Sequence, residues 1–192
     1  MLRCYITDRL LLPPSTDLLE TIARNLAAGI EWIQIREKDL SARQLFQLVQ
    51  SALALPNPNG AKFIVNTRVD VALAAGAASA HLPAGSPPAR QWRSIAPAKF
   101  LIGVSCHTVD EIRAAEADGA DYAFFGPVFA PRSKVSDLTP QGLDGLTRAV
   151  AAVRIPVLAL GGIAAENVAQ CRATGAAGVA AISLYQEPAR SC

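Results

Sequence analysis

Three polar side chains alternate along residues 32–39, a segment that begins apolar and ends in charge. On a β-strand successive side chains point to opposite faces, so Gln34, Arg36 and Lys38 share one side. A guanidinium group and an ammonium group beside an amide donor are well suited to bind phosphate or pyrophosphate. The spacing therefore predicts an anion site where this strand ends.

Polar or glycine residues also follow other candidate strands. Asn66 ends the third strand, Gly161 and Gly162 follow the seventh, and Ile182 and Ser183 end the eighth. Glycines let backbone N–H groups approach an anion, and the dipole of a following helix favours negative charge there. We therefore predict that the turns after the seventh and eighth strands form a phosphate cradle.

His107 follows the fifth strand and is the candidate acid or base. An imidazole titrates close to neutral pH, which suits proton transfer. The alternative is a histidine that packs or caps at a helix start. His81 is expected to point into the structure in a structural role. Cys106 adjoins His107, but neighbouring side chains on a strand diverge, so a Cys-His nucleophile pair is not expected.

The composition excludes several classes of partner. The 192 residues carry a formal net charge of +2, which is too small to indicate a nucleic-acid partner. No apolar run approaches the roughly 18 residues of a membrane span. Four cysteines without paired or metal-ligand spacing, and no signal peptide, predict a cytoplasmic protein.

Eight short apolar runs alternate with longer amphipathic segments from end to end. Predicted strands cover residues 4–7, 32–36, 62–66, 79–82, 101–105, 122–126, 157–160 and 178–182. Predicted helices cover residues 16–28, 41–53, 69–75, 88–95, 109–118, 143–153 and 166–174. Several of these helices end at a glycine, which is typical of a C-cap.

Eight βα units in one domain, residues 1–192, predict a single-domain (β/α)8 TIM barrel; a doubly wound open sheet is the alternative. Only ten residues follow Ile182, so the eighth helix is expected to be truncated or missing. A homo-oligomer stays open, because another subunit could cover that edge. In such barrels the strand ends meet at the C-terminal mouth, which would bring the polar residues together.

These motifs, read in order, resemble the thiamine phosphate synthase/TenI family over residues 5 to about 183. The matching pieces include Ile6-Thr7-Asp8-Arg9, Gln34-Ile35-Arg36-Glu37-Lys38-Asp39, Asn66-Thr67-Arg68-Val69-Asp70, Gly103-Val104-Ser105-Cys106-His107-Thr108, Phe125-Gly126-Pro127-Val128-Phe129, Pro140-Gln141-Gly142-Leu143 and Leu160-Gly161-Gly162-Ile163. The resemblance implies the barrel fold predicted above and a role in thiamine biosynthesis.

The family's synthases couple a hydroxymethylpyrimidine pyrophosphate to a thiazole phosphate with Mg²⁺. The resemblance implies that Gly162 and Ser183 hold the thiazole phosphate, and Ser133 stands where synthases carry a loop hydroxyl. The pyrophosphate would be held by Gln34, Arg36, Lys38, Asn66 and Lys134.

The chain departs from the synthases at their metal carboxylates. Thr67 stands where synthases have aspartate, and Gly85 and Ser86 stand in the second acidic segment. Mg²⁺ prefers hard oxygen ligands that include one or two carboxylates, so loss of both counts against synthase activity. Asp8 or Asp137 would have to recruit the metal instead.

The segment Leu82-Pro83-Ala84-Gly85-Ser86 resembles the TenI branch, whose characterised activity is thiazole tautomerisation without a metal. The leading prediction is therefore a thiazole tautomerase with no cofactor, acting on a carboxythiazole phosphate. His107 would move the proton, and Arg36 or Lys38 would contact the substrate carboxylate. The alternatives are a thiamine phosphate synthase with Mg²⁺ and a non-catalytic sensor or regulatory protein for a phosphorylated ligand.

Overall fold

Eight parallel strands form a closed barrel in sequence order, with β8 pairing back onto β1. The computed structural model describes residues 1–130 and 139–186. The predicted (β/α)8 barrel is confirmed. Its strands are β1 Leu2–Ile6, β2 Trp32–Ile35, β3 Lys62–Asn66, β4 Ser79–Leu82, β5 Leu101–Cys106, β6 Tyr122–Phe125, β7 Val157–Leu160 and β8 Gly178–Ala181.

Helices follow the strands and cover the outside of the barrel. A 3₁₀ turn, Arg9–Leu11, precedes the first of them. Apolar residues at helical spacing, such as Leu18, Ile22 and Leu26 in α1, are buried against the strands. The helices are α1 Leu18–Ala27, α2 Ala42–Leu53, α3 Val69–Ala75, α4 Ala89–Trp92, α5 Val109–Ala117, α6 Gly142–Ala151, α7 Val168–Ala173 and α8 Ser183–Gln186.

Helix α4 is shorter than the predicted segment 88–95. After Trp92 the chain continues as a turn, in which the Ile95 and Ala96 N–H groups both donate to the Trp92 carbonyl. Pro97 follows directly, and the residue before a proline is disfavoured in the α conformation. The amphipathic pattern continued through this turn, which is why it predicted too long a helix.

Side chains fill the barrel interior in layers, as expected for a small barrel. Gly103 makes room for the Tyr122 ring, because a Cβ at position 103 would lie 2.1 Å from Tyr122 Cζ. Towards the mouth the interior turns polar, with Gln34 and His81 both buried. The apolar layers consist of Cys4, Ile6, Trp32, Ile64, Tyr122, Phe124, Leu158 and Ala180.

The described part of the eighth helix is tied to its neighbours by side-chain amides. Asn25 Nδ2 in α1 donates to the Tyr185 carbonyl at 2.9 Å, and Gln186 Nε2 donates to the Asp8 carbonyl at 2.5 Å. Helix α8 is described from Ser183 to Gln186, where the described residues end, so the predicted truncation stays a prediction. No helix within residues 1–130 and 139–186 is long and apolar enough to cross a membrane.

Candidate active site

Gln34 and Asn66 meet at the mouth end of the barrel interior, as the strand-end pattern predicted. Gln34 Nε2 donates to Asn66 Oδ1 at 2.9 Å, and Asn66 Nδ2 donates to Thr67 Oγ1 at 2.9 Å. The Gln34 Oε1 atom is buried without a partner among the described residues. Because buried polar atoms are normally paired, this acceptor marks a place where a donor group would be stabilised.

Arg36 lies just beyond the end of β2, and its guanidinium is not a lone cation. Arg36 Nη1 lies 3.5 Å from Asp8 Oδ2, at the end of β1, and both side chains are mostly buried. An anion that binds Arg36 must therefore share it with Asp8. Lys38 is exposed two residues further along, in a turn beyond the end of β2, so the side it shares with Gln34 and Arg36 stays a prediction.

A buried network beneath Arg36 was missed by sequence reasoning. Thr7 Oγ1 donates to Glu37 Oε1 at 2.6 Å and accepts from the Arg36 backbone N–H at 3.0 Å. Arg9 Nη1 donates to Glu37 Oε2 at 3.2 Å, and the Glu37 side chain is 1% exposed. The network holds the backbone that carries Arg36. The available signal was the alternation itself, which places Glu37 opposite Arg36.

Arg9 also joins Asp39 through both guanidinium Nη atoms, at 2.7 and 2.5 Å. Hydrogen bonds from Arg9 hold the pKa of the Asp39 carboxyl below its ordinary value. The loop after β2 is thus pinned to the 3₁₀ turn after β1.

His107, just after β5, is held in a defined tautomer by the backbone after β6. Its Nδ1 lies 2.5 Å from the Gly126 carbonyl oxygen. A carbonyl only accepts, so in the neutral ring Nδ1 carries the proton and Nε2 keeps a basic lone pair. The adjacent Cys106 is buried, and burial raises the pKa of its thiol to about 12, so it does not act as a thiolate.

The interior position predicted for His81 is observed. His81 is 1% exposed, its ring centroid lies 4.2 Å from that of Phe124, and Nε2 lies 2.8 Å from Ser105 Oγ. Burial lowers the pKa of His81 to about 3, so the ring is neutral at physiological pH. His81 thereby orients Ser105, a mouth hydroxyl that was not among the predicted site residues.

Gly161 and Gly162 have positive φ angles, 93° and 63°, and the chain after β6 passes close over them. A Cβ on Gly162 would lie 2.5 Å from the Ala130 carbonyl oxygen. Asn167 closes the turn by donating to the Gly162 carbonyl at 2.9 Å. The Gly162 N–H has no acceptor within residues 1–130 and 139–186, which leaves it available to an anion.

The other predicted cradle residues lie on the neighbouring strand. Ile182 is partly buried just after β8, and Ser183 is the first residue of α8. Their phosphate-binding role stays a prediction. Ser133 and Lys134, predicted from the loop after β6, lie outside the described residues.

The described side chains at the mouth do not fit a Mg²⁺ ion, and Asp137, the other candidate to recruit one, lies outside the described residues. Thr67 and Ser86 offer neutral hydroxyls, and the Asp8 carboxylate is already paired with Arg36. Across residues 1–130 and 139–186 no three His, Cys, Asp or Glu side chains are grouped to hold a metal. Since Mg²⁺ normally requires carboxylates, this donor set favours anions over the cation.

The fold and the mouth define a (β/α)8-barrel protein whose strand ends carry cations, amides and hydroxyls. The family model described as thiamine monophosphate synthase matches residues 4–184, and the chain belongs to this family.

Relatives include two thiamine-phosphate synthases. The one from Moorella thermoacetica is 44% identical over 86% of this chain and 79% of its own length. The one from Chlorobium luteolum is 39% identical over 98% of this chain and 89% of its own length. The solved thiamine phosphate pyrophosphorylase of Pyrococcus furiosus superposes with a TM-score of 0.84 at 36% identity, covering 95% of this chain and 85% of that one. These names favour the synthase alternative over the tautomerase prediction, and they do not resolve the TenI branch.

Proposed function

We propose that this chain is an enzyme of thiamine biosynthesis that acts as a thiamine-phosphate synthase, joining a hydroxymethylpyrimidine pyrophosphate to a thiazole phosphate. The observation that carries the proposal is the family match from residue 4 to 184, with relatives of that name at 44% and 39% identity. The arrangement of the mouth supports it.

The two proposed anion positions belong to opposite sides of the barrel. Gln34 and Asn66 belong to β2 and β3, whereas Gly161 and Gly162 follow β7. In a closed eight-stranded barrel, β3 and β7 lie four strands apart and therefore on opposite sides. A pyrophosphate on one side and a thiazole phosphate on the other would place the two reacting groups between them.

The charge on the departing pyrophosphate would be met by this chain's own donors. Arg36 and the Asn66 amide are the described candidates, and Lys38 and Lys134 join them by resemblance. Because the described residues do not fit Mg²⁺, no step is assigned to a metal. The protein's part is to hold the anion, orient both substrates and exclude water.

A thiazole tautomerase is the second candidate, favoured by the absent metal carboxylates and by His107. The His107 Nε2 lone pair can take a proton from one ring position of a carboxythiazole phosphate and return it at another. The substrate isomerises with no other group transferred. Arg36 would then contact the carboxylate.

Two assays on the purified protein separate these reactions. The first supplies pyrimidine pyrophosphate and thiazole phosphate, with Mg²⁺ or with chelator, and measures thiamine phosphate. The second supplies the carboxythiazole phosphate tautomer in chelator and follows aromatisation in wild type and His107→Ala.

Formation of thiamine phosphate is the expected result. Its absence, together with aromatisation that drops about 10²- to 10⁴-fold in His107→Ala, would replace the synthase by the tautomerase. If neither reaction runs while thiazole phosphate still binds, the protein is a ligand sensor.

A further inference from the structure

Thr67 adopts an unusual backbone conformation at the mouth. Its φ is +65°, which makes it the non-glycine residue with positive φ within residues 1–130 and 139–186. Left-handed geometry is costly for a β-branched side chain and persists only where the surroundings hold it. Here the Thr67 N–H donates to the His81 carbonyl at 2.8 Å, and the Thr67 carbonyl accepts from Val69 N–H at 3.2 Å.

The Thr67 hydroxyl ends a one-way chain of hydrogen bonds. Gln34 Nε2 donates to Asn66 Oδ1, and Asn66 Nδ2 donates to Thr67 Oγ1. Since the Thr67 oxygen already accepts, its own proton is the group left to donate. That proton has no acceptor among the described residues, and the side chain is exposed at the mouth.

Helix capping does not account for this hydroxyl. The residue at the N-cap of α3 is Arg68, and no side chain caps that helix end. A donor that is presented outward, at the end of a polarised chain, is instead suited to an oxyanion.

We propose that Thr67 is a specificity-determining residue whose hydroxyl donates directly to the substrate oxyanion held on the β2–β3 side of the mouth. The identity of that anion, pyrophosphate or carboxylate, rests on the proposed function; the hydrogen-bond chemistry is the same for both. A carboxylate at position 67 would repel the anion unless a cation bridged them. With threonine at this position, the anion can accept a hydrogen bond directly from the protein, and no bridging cation is needed.

Titration calorimetry with inorganic pyrophosphate tests the proposal, with chelator and with Mg²⁺. Wild type is expected to bind about equally in both. Thr67→Ser should bind within about threefold of wild type, and Thr67→Val should bind about tenfold or more weakly, since a hydrogen bond to a charged group is lost. Thr67→Asp should bind weakly in chelator and recover with Mg²⁺.

Thr67→Val keeps the branched side chain and hence the same backbone strain, so its thermal midpoint serves as the folding control. If it does not fold, Thr67→Ala removes the hydroxyl with less crowding. Wild-type binding that requires Mg²⁺, equal binding by the hydroxyl-free variant, or no binding of pyrophosphate by wild type would each overturn the proposal.

The synthase assay is independent of this measurement. Loss of pyrophosphate affinity in Thr67→Val, in a protein that makes no thiamine phosphate, would sustain the role of Thr67 and reject the proposed function. Synthesis of thiamine phosphate by the wild type, with unchanged pyrophosphate affinity in Thr67→Val, would sustain the proposed function and reject the role of Thr67.

Discussion

At the scale of single residues, the positive charge of Arg36 at the mouth is partly neutralised by a neighbouring carboxylate. Arg36 would bind an anion, yet Asp8 lies 3.5 Å from it, and Glu37 and Thr7 fix the backbone beneath. The two carboxylates thus have different tasks. Asp8 competes with a ligand, and Glu37 positions the residue that binds it.

Replacing Asp8 by asparagine is expected to strengthen pyrophosphate binding about three- to tenfold, because Arg36 no longer shares its charge. Titration calorimetry at low ionic strength measures the change. Asp110→Asn, which removes an equal charge beside Arg113 on the surface of α5, is the matched control. Equal affinity gains in both variants would show that net charge alone is responsible.

Glu37→Gln is expected to lower the free energy of unfolding by about 1–3 kcal/mol, because it weakens the buried acceptor of Thr7 and Arg9. Urea denaturation provides the measurement. Glu31→Gln, at the partly exposed pair with Arg3, should cost less, under about 1 kcal/mol. A smaller loss at Glu37 than at Glu31 would contradict a structural role for this network.

At the scale of elements, the turn after β7 is shaped by the segment that crosses it. Gly161 and Gly162 are required by the backbone near Pro127 and Ala130 as well as by their φ angles. The predicted phosphate cradle and the packing of residues 127–130 therefore depend on the same two glycines.

Gly162→Ala is expected to destabilise the protein and to weaken binding of thiazole phosphate, because its Cβ would meet the Ala130 carbonyl at 2.5 Å. Gly76→Ala is the control, since Gly76 has a similar φ of 78° and open space around its Cβ position. In the control, the free energy of unfolding should fall by only about 1–2 kcal/mol, which is the cost of the left-handed backbone conformation for alanine. Urea denaturation and calorimetry measure the two effects, and equal losses in both variants would argue against a steric role.

At the scale of the whole molecule, burial inside the barrel makes stability depend on pH. His81 has a pKa of about 3 in the folded protein against 6.5 for an exposed imidazole. Between these values the unfolded chain binds the extra proton, so the free energy of unfolding falls as the pH falls.

Because of His81, we expect the free energy of unfolding to fall below pH 6.5 with a slope that approaches about 1.4 kcal/mol per pH unit. Above pH 6.5 this group should cause no change. Urea denaturation from pH 8 to about pH 4.5 measures it. His81→Gln, which removes the titrating ring, should show a flatter profile over this range. An unchanged slope in the variant would mean that other groups cause the acid sensitivity.

Local patterns predicted well wherever a residue's own chemistry decides its conformation. The glycines after four predicted helices, Gly29, Gly76, Gly119 and Gly175, all have positive φ. At the start of α5, a full capping box would also need the Glu111 carboxylate to accept from the Thr108 N–H. Thr108 caps α5 through the Glu111 N–H, but the Glu111 carboxylate accepts from His107 instead.

The sequence by itself determined the barrel, its strand order and the polar residues at the strand ends, because alternation and glycine positions act over a few residues. The tertiary structure alone decided which of those residues meet. Register pairs Ile6 with Gln34, which sets Thr7 and Asp8 beside Arg36 and Glu37. It also placed the Thr67 hydroxyl at the end of a donor chain from Gln34. Such pairings depend on distances between strands far apart in the chain, and no local pattern encodes those distances.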